Sequence, residues 1–390
     1  MKPARRCKDI TPFIVMEIME KIHKMEKSGI DVIHMEIGEP DFNVPDCVNQ
    51  ASIDALSANE THYTHSLGDM RLREAISEYH KITYNTNIDP GQIIVTSGTS
   101  PGMLLLFSAL LNPGDEVIIS DPHYACYENF INFVQGVPVT VPVFEEQGFI
   151  YTPEAIQEKI TSKTRAVFLN SPSNPTGNVI SKKRMQQIVD VATRNNLYLV
   201  SDEIYHGLVY EGKEHSIYEF TDKAFLLNGF SKLFAMTGLR LGYLIAPPEF
   251  VRAIQILEQN FFICANSITQ LAGIAALKHA HKETKEMKEI YNKRRIYVIK
   301  RLKNMGLGIT IEPTGAFYVF ANAKHISNDS LALAHDILDK AHVGVTPGID
   351  FGKHGEGYLR FSYANSMKNL EIGLNRMERY LKEKRFSKEV

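Results

Sequence analysis

The chain of 390 residues is predicted to be an α/β protein, with a large domain around a mainly parallel sheet and a smaller domain from both chain ends. Three observations support this fold class. From about residue 90, short apolar runs recur that do not alternate with polar residues, as in strands buried on both faces. Helical patterns separate these runs, which is typical of a parallel sheet covered by helices. Beyond about residue 248 the chain becomes strongly helical. We expect domain boundaries at 1–44 (small domain), 45–280 (large domain) and 281–390 (small domain).

The first predicted element is an amphipathic helix over 13–29, where Ile14, Ile18 and Ile22 recur at a spacing of four. In the large domain, strands are predicted at 93–96, 116–120, 165–170, 197–201, 224–228 and 241–246. Helices are predicted between them at 101–111, 125–134 and 181–196, and Ser181 is a suitable N-cap for the last of these.

The C-terminal part predicts further elements of the small domain. A helix over 285–305 should end at Gly306, a suitable C-terminal cap. Strands are predicted at 314–321 and 356–364. A last helix follows, because four apolar residues share one face of it: Leu370, Leu374, Met377 and Leu381.

Composition limits the function classes. The chain is 44% hydrophobic and 23% charged, with a net charge of −2, which argues against nucleic-acid and membrane partners. The first twenty residues lack the apolar core of a secretory signal, and no run approaches the length of a membrane span. Four scattered cysteines, none with metal-ligand or redox spacing, predict free thiols in a reducing cytoplasm and no metal site.

Polar sequences follow the predicted strands at the sheet edge where ligands bind in such folds. Residues 96–102 (Thr-Ser-Gly-Thr-Ser-Pro-Gly) join a strand to a helix. Backbone amides there could hold a phosphate. Ser100 before Pro101 could equally cap the helix, and the two interpretations are compatible.

Three further strand ends carry candidate side chains. Tyr124 could stack on a flat ring or pack over its strand. Asn174 lies in a turn-rich loop, 170–177, whose two prolines fix its shape. Asp202 follows a buried strand, where a carboxylate is costly unless paired. A protonated pyridine nitrogen, a salt bridge or a helix N-terminus could be its partner, and Tyr205 could reach the phenolic oxygen of such a ring.

Two cationic positions complete the set. Lys232 and Arg240 lie in a stretch rich in small residues, 228–243. The lysine could carry a carbonyl cofactor as a Schiff base and the arginine could bind its phosphate; both could also be surface cations. Arg360 lies in an apolar strand and needs a carboxylate partner, either an internal Asp or Glu or a substrate.

Together these residues resemble the class I/II, fold-type I aminotransferases, close to the bacterial and archaeal aspartate and aromatic aminotransferases. The resemblance runs almost end to end and rests on an ordered set of motifs: 38–42 (Gly-Glu-Pro-Asp-Phe), the Tyr63 region, 170–177, 201–205, 231–240, 315–318 and Arg360.

The resemblance implies pyridoxal 5'-phosphate as cofactor, a seven-stranded sheet and a homodimer. It implies that Lys232 bonds to the cofactor, that Asp202 holds the pyridinium, and that Tyr124 stacks on the ring. Tyr205 and Asn174 would bind the ring oxygen. The phosphate would meet Gly98, Thr99, Ser100, Ser231 and Arg240, and also Tyr63 of the neighbouring subunit. The substrate carboxylate would meet Gly38, Asn174 and Arg360.

The implied reaction moves the amino group of an L-amino acid to a 2-oxo acid, with 2-oxoglutarate as the expected acceptor, by ping-pong kinetics. One aspartate aminotransferase subgroup has a lysine where Ser100 stands, and its absence favours a broad or aromatic donor range. A carbon–sulfur β-lyase on the same fold is the alternative. A non-catalytic regulator of aminotransferase descent fits poorly, because the chain has neither an added DNA-binding domain nor a basic block.

Overall fold

The computed structural model describes residues 3, 4, 7 and 10–386. Its strands are β1 (Ile33–His34), β2 (Ile93–Thr96), β3 (Glu116–Asp121), β4 (Val137–Pro142), β5 (Thr164–Asn170), β6 (Tyr198–Asp202), β7 (Ala224–Gly229), β8 (Gly242–Ile245), β9 (Tyr318–Asn322), β10 (Val343–Gly344), β11 (Thr346–Pro347) and β12 (Tyr358–Ser362). Its α-helices are α1 (Ile14–Lys27), α2 (Asp46–Ser57), α3 (Met70–Tyr84), α4 (Thr99–Leu110), α5 (Tyr127–Phe133), α6 (Pro153–Lys159), α7 (Lys182–Arg194), α8 (Pro248–Phe261), α9 (Ser267–His279), α10 (His281–Asn304), α11 (Ser330–Ala341) and α12 (Met367–Phe386).

The central sheet has seven strands in the order β2-β8-β7-β6-β5-β3-β4. β8 pairs antiparallel with both of its neighbours, and the other pairings are parallel. The predicted α/β fold with a mainly parallel sheet is therefore confirmed. All strands except β8 end at the same edge of the sheet, which places the loops that follow them side by side.

Both faces of this sheet are covered. Successive strand side chains point to opposite faces, and in β2 Ile93 and Val95 pack into one buried cluster while Ile94 packs into another. β7 divides in the same way, with Leu226 in the first cluster and Phe225 in the second. This double burial explains why these strands are continuously apolar in sequence.

A second core joins the two ends of the chain. β11, β12 and β9 form an antiparallel sheet, and β1 pairs in parallel with β10. Ile18 and Ile22 of α1 pack in one cluster with Leu374 and Met377 of α12. The division at 1–44, 45–280 and 281–390 stays a prediction, and its outer segments include residues 1, 2, 5, 6, 8, 9 and 387–390, which lie outside the described part.

Some elements differ from the sequence prediction. α4 begins at Thr99 rather than 101, because Gly98 (φ 98°) turns the chain directly into the helix. β4 and α6 were not predicted; β4 is a sheet-edge strand that contains two prolines and is mostly half-buried. Ser181 caps α7 through the amide of Arg184, as predicted, and Gly306 follows α10 with a positive φ.

Within the described residues, no helix is both long enough and apolar enough to cross a membrane.

Candidate active site

The carboxyl ends of β2, β5, β6 and β7 border a cavity of about 370 Å³. It brings together eleven of the thirteen residues singled out in the sequence: Gly38, Thr99, Ser100, Tyr124, Asn174, Asp202, Tyr205, Ser231, Lys232, Arg240 and Arg360. Gly98 is not among the lining residues but adjoins Thr99 and Arg240, which are, and Tyr63 does not line the cavity. Residues from 38 to 360 meet here because parallel strands bring their ends to one edge of the sheet, and Arg360 of β12 lines the same cavity.

One end of the cavity is suited to an anion. α4 begins there with Gly98 as its N-cap, and no side chain caps its first turn. Ser100 is therefore within the helix and is not the cap, which corrects one of the two interpretations of this segment. A Cβ at residue 98 would lie 2.6 Å from Nη2 of Arg240, so only glycine lets the guanidinium come so close to the helix start. Free amides, hydroxyls and a guanidinium together suit a phosphate.

Asp202 lies at the end of β6 and is 4% exposed. Its Oδ2 accepts a hydrogen bond from the Tyr127 hydroxyl at 2.7 Å, and its Oδ1 accepts one from the Ile204 amide at 3.1 Å. Burial nevertheless raises the pKa of this carboxyl to about 6, against the lowering effect of these two donors. A cation at this position would relieve the burial cost.

Lys232 projects into the cavity from the loop after β7. Its Nζ donates to the carbonyl of Gly38 at 2.6 Å. Burial lowers the pKa of this amine to about 8, while the carboxylate of Glu39 raises it and Arg360 and Arg240 lower it further. The amine is therefore neutral in a large fraction of molecules near pH 8, and a neutral amine is the form that attacks carbonyls and accepts protons.

Arg360 lies in β12 and is 2% exposed. Its Nη1 donates to Oδ1 of Asn174 at 2.9 Å, and its Nη2 donates to the carbonyl of Glu36 and, at 3.1 Å, to Oγ1 of Thr346. Its Nε has no partner. In the part of the chain that the structure describes, no carboxylate forms a salt bridge with it. No carboxylate is therefore hydrogen-bonded to Arg360 among the described residues, although the charge of Asp350 is close enough to interact with it, and the free Nε can receive a carboxylate ligand.

Tyr205 and Asn174 are fixed by neighbours on other elements. The Tyr205 hydroxyl lies 2.8 Å from that of Tyr318. The backbone amide of Asn174 donates to Oδ1 of Asn170 at 2.8 Å. Tyr124 packs edge-to-face against Tyr127, with ring centroids 5.3 Å apart. Tyr127 also donates to Asp202, so the ring of Tyr124 and the carboxylate of Asp202 contact the same tyrosine.

Tyr63 does not reach this cavity. It lies in the loop between α2 and α3 and is 81% exposed. The Tyr63 side chain is therefore not packed within its own chain.

Sequence reasoning missed several residues of the site. Tyr127 was expected only as part of a helix, yet it bonds Asp202. Tyr318 belongs to the 315–318 motif, but the sequence predicted no role for it. Four residues of the α1 region also line the cavity: Phe13, Val15, Met16 and Met19. Only the amphipathic pattern of that helix was visible in sequence, and such a pattern does not say which apolar side chains face a ligand.

The residues present fit pyridoxal phosphate. An anion-binding helix start, a buried carboxylate and a lysine with a lowered pKa border one cavity. These groups match the cofactor's phosphate, its protonated ring nitrogen and its aldehyde.

This fold and this set of groups define a fold-type I transaminase. The chain belongs to the aminotransferase class I and II family, whose model matches residues 30–377. A (5-formylfuran-3-yl)methyl phosphate transaminase of Methanocaldococcus jannaschii is 43% identical over 382 residues, which are 97% of this chain and 99% of that protein. An aspartate aminotransferase of Pyrococcus horikoshii is 41% identical over 372 residues, 94% of each chain.

Solved structures agree with this family. The aspartate aminotransferase of Thermus thermophilus with maleate superposes with a TM-score of 0.93 at 34% identity and covers 97% of this chain and 99% of its own. A Methanococcus jannaschii protein, described as similar in its active site to kynurenine aminotransferases, superposes with a TM-score of 0.91 at 42% identity, over 97% and 100%. Members of this family use pyridoxal phosphate, and transamination is the activity that the relatives' names share.

Proposed function

We propose that the protein transfers the amino group of an L-amino acid to a 2-oxo acid, with 2-oxoglutarate as acceptor, in two half-reactions at the cavity of Lys232. The observation that carries the proposal is the Lys232 amine. It has a pKa lowered to about 8 and lines one cavity with a buried carboxylate and a buried guanidinium.

The cofactor would be held by groups already described. Asp202 would pair with the ring nitrogen, and Tyr205 and Asn174 would bind the ring oxygen. Tyr124 would stack on the ring. The phosphate would meet the start of α4, including Gly98, Thr99 and Ser100, together with Ser231 and Arg240. When bound, pyridoxal phosphate supplies an electron-withdrawing ring that accepts the electron pair of the substrate's Cα–H bond.

The chain's own residues supply binding and proton transfer. Arg360, oriented by Asn174, would bind the substrate α-carboxylate with its planar fork, and Gly38 would approach the same carboxylate. This fixes Cα beside Lys232, whose neutral Nζ would accept the Cα proton and then donate it to the former aldehyde carbon of the cofactor. Because the amine itself carries the proton, both half-reactions use one base.

A separate half-reaction experiment tests this function. Purified protein loaded with cofactor is mixed with an amino acid alone, and the 2-oxo acid formed is measured; one equivalent per site is expected. Adding 2-oxoglutarate should then restore the original absorbance and yield glutamate. Parallel lines in double-reciprocal plots are expected for ping-pong kinetics. A requirement for both substrates before any product forms would refute the two-step scheme.

The acceptor panel should also include an aldehyde. The Methanocaldococcus jannaschii relative is named for (5-formylfuran-3-yl)methyl phosphate, so that compound belongs beside 2-oxoglutarate, oxaloacetate and pyruvate. The β-lyase alternative is tested in the same preparation by pyruvate release from cystathionine, and we expect amino transfer to exceed it.

We further propose a homodimer in the cytoplasm. The exposure of Tyr63 outside its own cavity supports a role at the phosphate site of a second subunit, as in the resembling family. The four cysteines are free thiols, which suits a reducing compartment.

A further inference from the structure

The backbone carbonyl of Glu36 orients Arg360. It accepts a hydrogen bond from Nη2 of Arg360, and the Thr346 hydroxyl donates to it at 3.0 Å. Nη2 of Arg360 also donates to Oγ1 of Thr346 at 3.1 Å, so the three groups form a closed ring of hydrogen bonds. Because a guanidinium is planar, a ring that holds Nη2 also fixes the direction of Nε, which has no partner among the described residues. The position of the Glu36 backbone therefore sets how Arg360 can receive a carboxylate.

The side chain of the same residue is a buried carboxylate. Glu36 is 0% exposed, and its Oε1 lies 2.6 Å from Nδ1 of His34. The two side chains meet because residues two positions apart share one face of an extended chain. Among the described residues, Oε2 has no hydrogen-bond partner. A Cβ at Gly344 would lie 2.1 Å from this oxygen, so the glycine leaves the space that the carboxylate fills. A carboxylate removed from water needs a compensating partner, and His34 is in position to be that partner.

His34 joins this buried carboxylate to the surface. Its side chain is 36% exposed, and its Nε2 lies 3.1 Å from Oε1 of Glu26 in α1, whose side chain is 40% exposed. The hydrogen bond to Glu36 is the main reason that the pKa of His34 is raised to about 9; burial opposes this shift, and Glu26 adds to it. His34 is therefore a cation at neutral pH. Because its ordinary pKa is near 6.5, the pair stabilises the fold fully below about pH 6.5, and this contribution is lost as pH rises to about 9.

The neighbouring elements form no further ion pair with His34 among the described residues. The Asn365 side chain, just before α12, is neutral and donates to the His34 carbonyl at 2.9 Å. Arg376 of α12 is paired with Asp31, near the start of the same segment. The charge of His34 is therefore shared between one buried and one exposed carboxylate.

We infer that Glu36, held by protonated His34, is a positioning residue for Arg360, and that a histidine at the surface thereby controls the affinity of the enzyme for the substrate α-carboxylate. This inference rests on the proposed function, in which Arg360 binds that carboxylate. When His34 loses its proton, the Glu36 carboxylate is left in the interior without a counter-charge, which favours its displacement. The carbonyl that orients Arg360 moves with it. Affinity for a carboxylate should therefore fall as pH rises through the pKa of His34, about 9.

The first test measures the binding of propanoate, a carboxylate without an amino group, to the cofactor-loaded enzyme by calorimetry at neutral pH. His34→Gln leaves Glu36 buried without a cation. It should weaken propanoate binding about tenfold, since a misplacement of about 1 Å can cost on the order of 10²-fold. The matched control is Glu26→Gln, which removes the exposed partner of the same histidine and should change binding by no more than about twofold. Cofactor affinity should stay unchanged in both variants, whereas a general loss of structure would weaken both ligands.

The double variant His34→Gln/Glu36→Gln tests whether the buried charge is the cause. It removes the cation and the carboxylate together, and a buried neutral amide costs less than an unpaired carboxylate. It should therefore bind propanoate more tightly than His34→Gln alone, with most of the affinity restored. Such recovery on adding a second substitution indicates a coupled pair. An equal or larger loss in the double variant refutes the inference.

The pH dependence gives a readout that does not require the His34→Gln protein, so a folding failure of that variant does not prevent a decision. The dissociation constant of propanoate is measured between pH 7 and 10 for the unaltered enzyme and for Glu36→Gln, which has no buried carboxylate to release. Lys232 and the cofactor titrate in both proteins, so their contribution cancels in the ratio of the two constants. The ratio of the unaltered enzyme to the variant should rise with a midpoint near the pKa of His34, about 9. A ratio that stays constant over this range contradicts a role for the charge of His34.

Arg360→Lys separates a failure of this inference from a failure of the proposed function. If it leaves propanoate affinity unchanged, Arg360 does not bind the carboxylate, and its proposed role fails together with the inference. If it weakens binding while His34→Gln does not, the inference alone fails. Equal losses in His34→Gln and Glu26→Gln, or a loss of cofactor affinity as large as the loss of propanoate affinity, would also overturn the inference.

Discussion

Replacing Asp202 with asparagine tests the electrostatic design of the site most directly. Asparagine is nearly isosteric and can still accept one of the two hydrogen bonds, from the Tyr127 hydroxyl or the Ile204 amide. What the substitution removes is the charge that would keep the cofactor's ring nitrogen protonated. The fold should therefore be retained while the reaction slows.

The structure indicates the size of the effect. Asp202 is 4% exposed, so its pairing with a protonated ring would be screened little by water. Removing one member of a buried ion pair costs about 3–5 kcal/mol. If about 3 kcal/mol of this is lost in the transition state, the half-reaction slows on the order of 10²-fold.

The pKa of Asp202 adds a prediction with a defined sign. Without cofactor, burial raises the pKa of this carboxyl to about 6, above its ordinary value near 4. The carboxylate therefore destabilises the apoprotein as pH rises from about 4 to 6, by about 3 kcal/mol at pH 7. Asp202→Asn should stabilise the apoprotein by an amount of this order. Cofactor affinity of the unaltered protein should weaken below about pH 6, as the carboxyl becomes protonated, and this dependence should be absent in the variant.

The assay combines three measurements on one preparation. Cofactor affinity is titrated by absorbance between pH 5 and 8, the single-turnover rate is measured by stopped flow, and apoprotein stability by urea unfolding. Tyr127→Phe is the matched control, because it removes a donor to Asp202 but keeps the charge. It should cost far less in rate. Near-normal turnover of Asp202→Asn with bound cofactor, or equal losses in both variants, would refute the electrostatic role.

Three further predictions concern attachment, recognition and assembly. Borohydride reduction of the cofactor-loaded protein should place the mass label on Lys232, found by peptide mapping; a label on another lysine contradicts the assignment. Arg360→Lys keeps the charge but loses the bidentate fork, so KM for amino acids should rise at least tenfold with cofactor affinity unchanged; unchanged KM would exclude a carboxylate role. Mixing Tyr63→Phe chains with Lys232→Ala chains should recover activity beyond the sum of the parents, provided that Tyr63→Phe alone is impaired. No recovery after verified subunit exchange would argue against a shared site.

Much of the fold could be predicted because the central strands are buried on both faces. Their continuous apolar runs, such as 224–227, stand out from the helices between them, and double burial of β7 is the physical cause of that signal. β4 gave no such signal. It lies at the sheet edge, is mostly half-buried and contains Pro138 and Pro142, and prolines are tolerated only where a strand need not donate every backbone bond.

The sequence predicted those site residues whose chemistry is unusual for their position, such as a charged side chain in an apolar strand. Arg360 is a cation within an apolar strand, and Asp202 is a carboxylate at a buried strand end. A buried charged residue of this kind predicts a charged or hydrogen-bonding partner, regardless of how the rest of the chain folds. Tyr127 gave no comparable signal, because a tyrosine is ordinary in a helix. Its importance depends on a contact with Asp202, 75 positions away in the sequence, which only the folded chain provides.

The three charged groups at the centre of the cavity share one physical property. Asp202 has a raised pKa, Lys232 has a lowered one, and Arg360 is buried with neutral acceptors and an unpartnered Nε. Each of these arrangements costs folding free energy in the protein by itself, because a charge removed from water lacks a full counter-charge. A structural role would have favoured pairing these groups with one another or replacing them by apolar residues. Their presence together at one cavity is the expected result when the missing partners belong to ligands: a pyridinium for Asp202, an aldehyde for Lys232 and a carboxylate for Arg360.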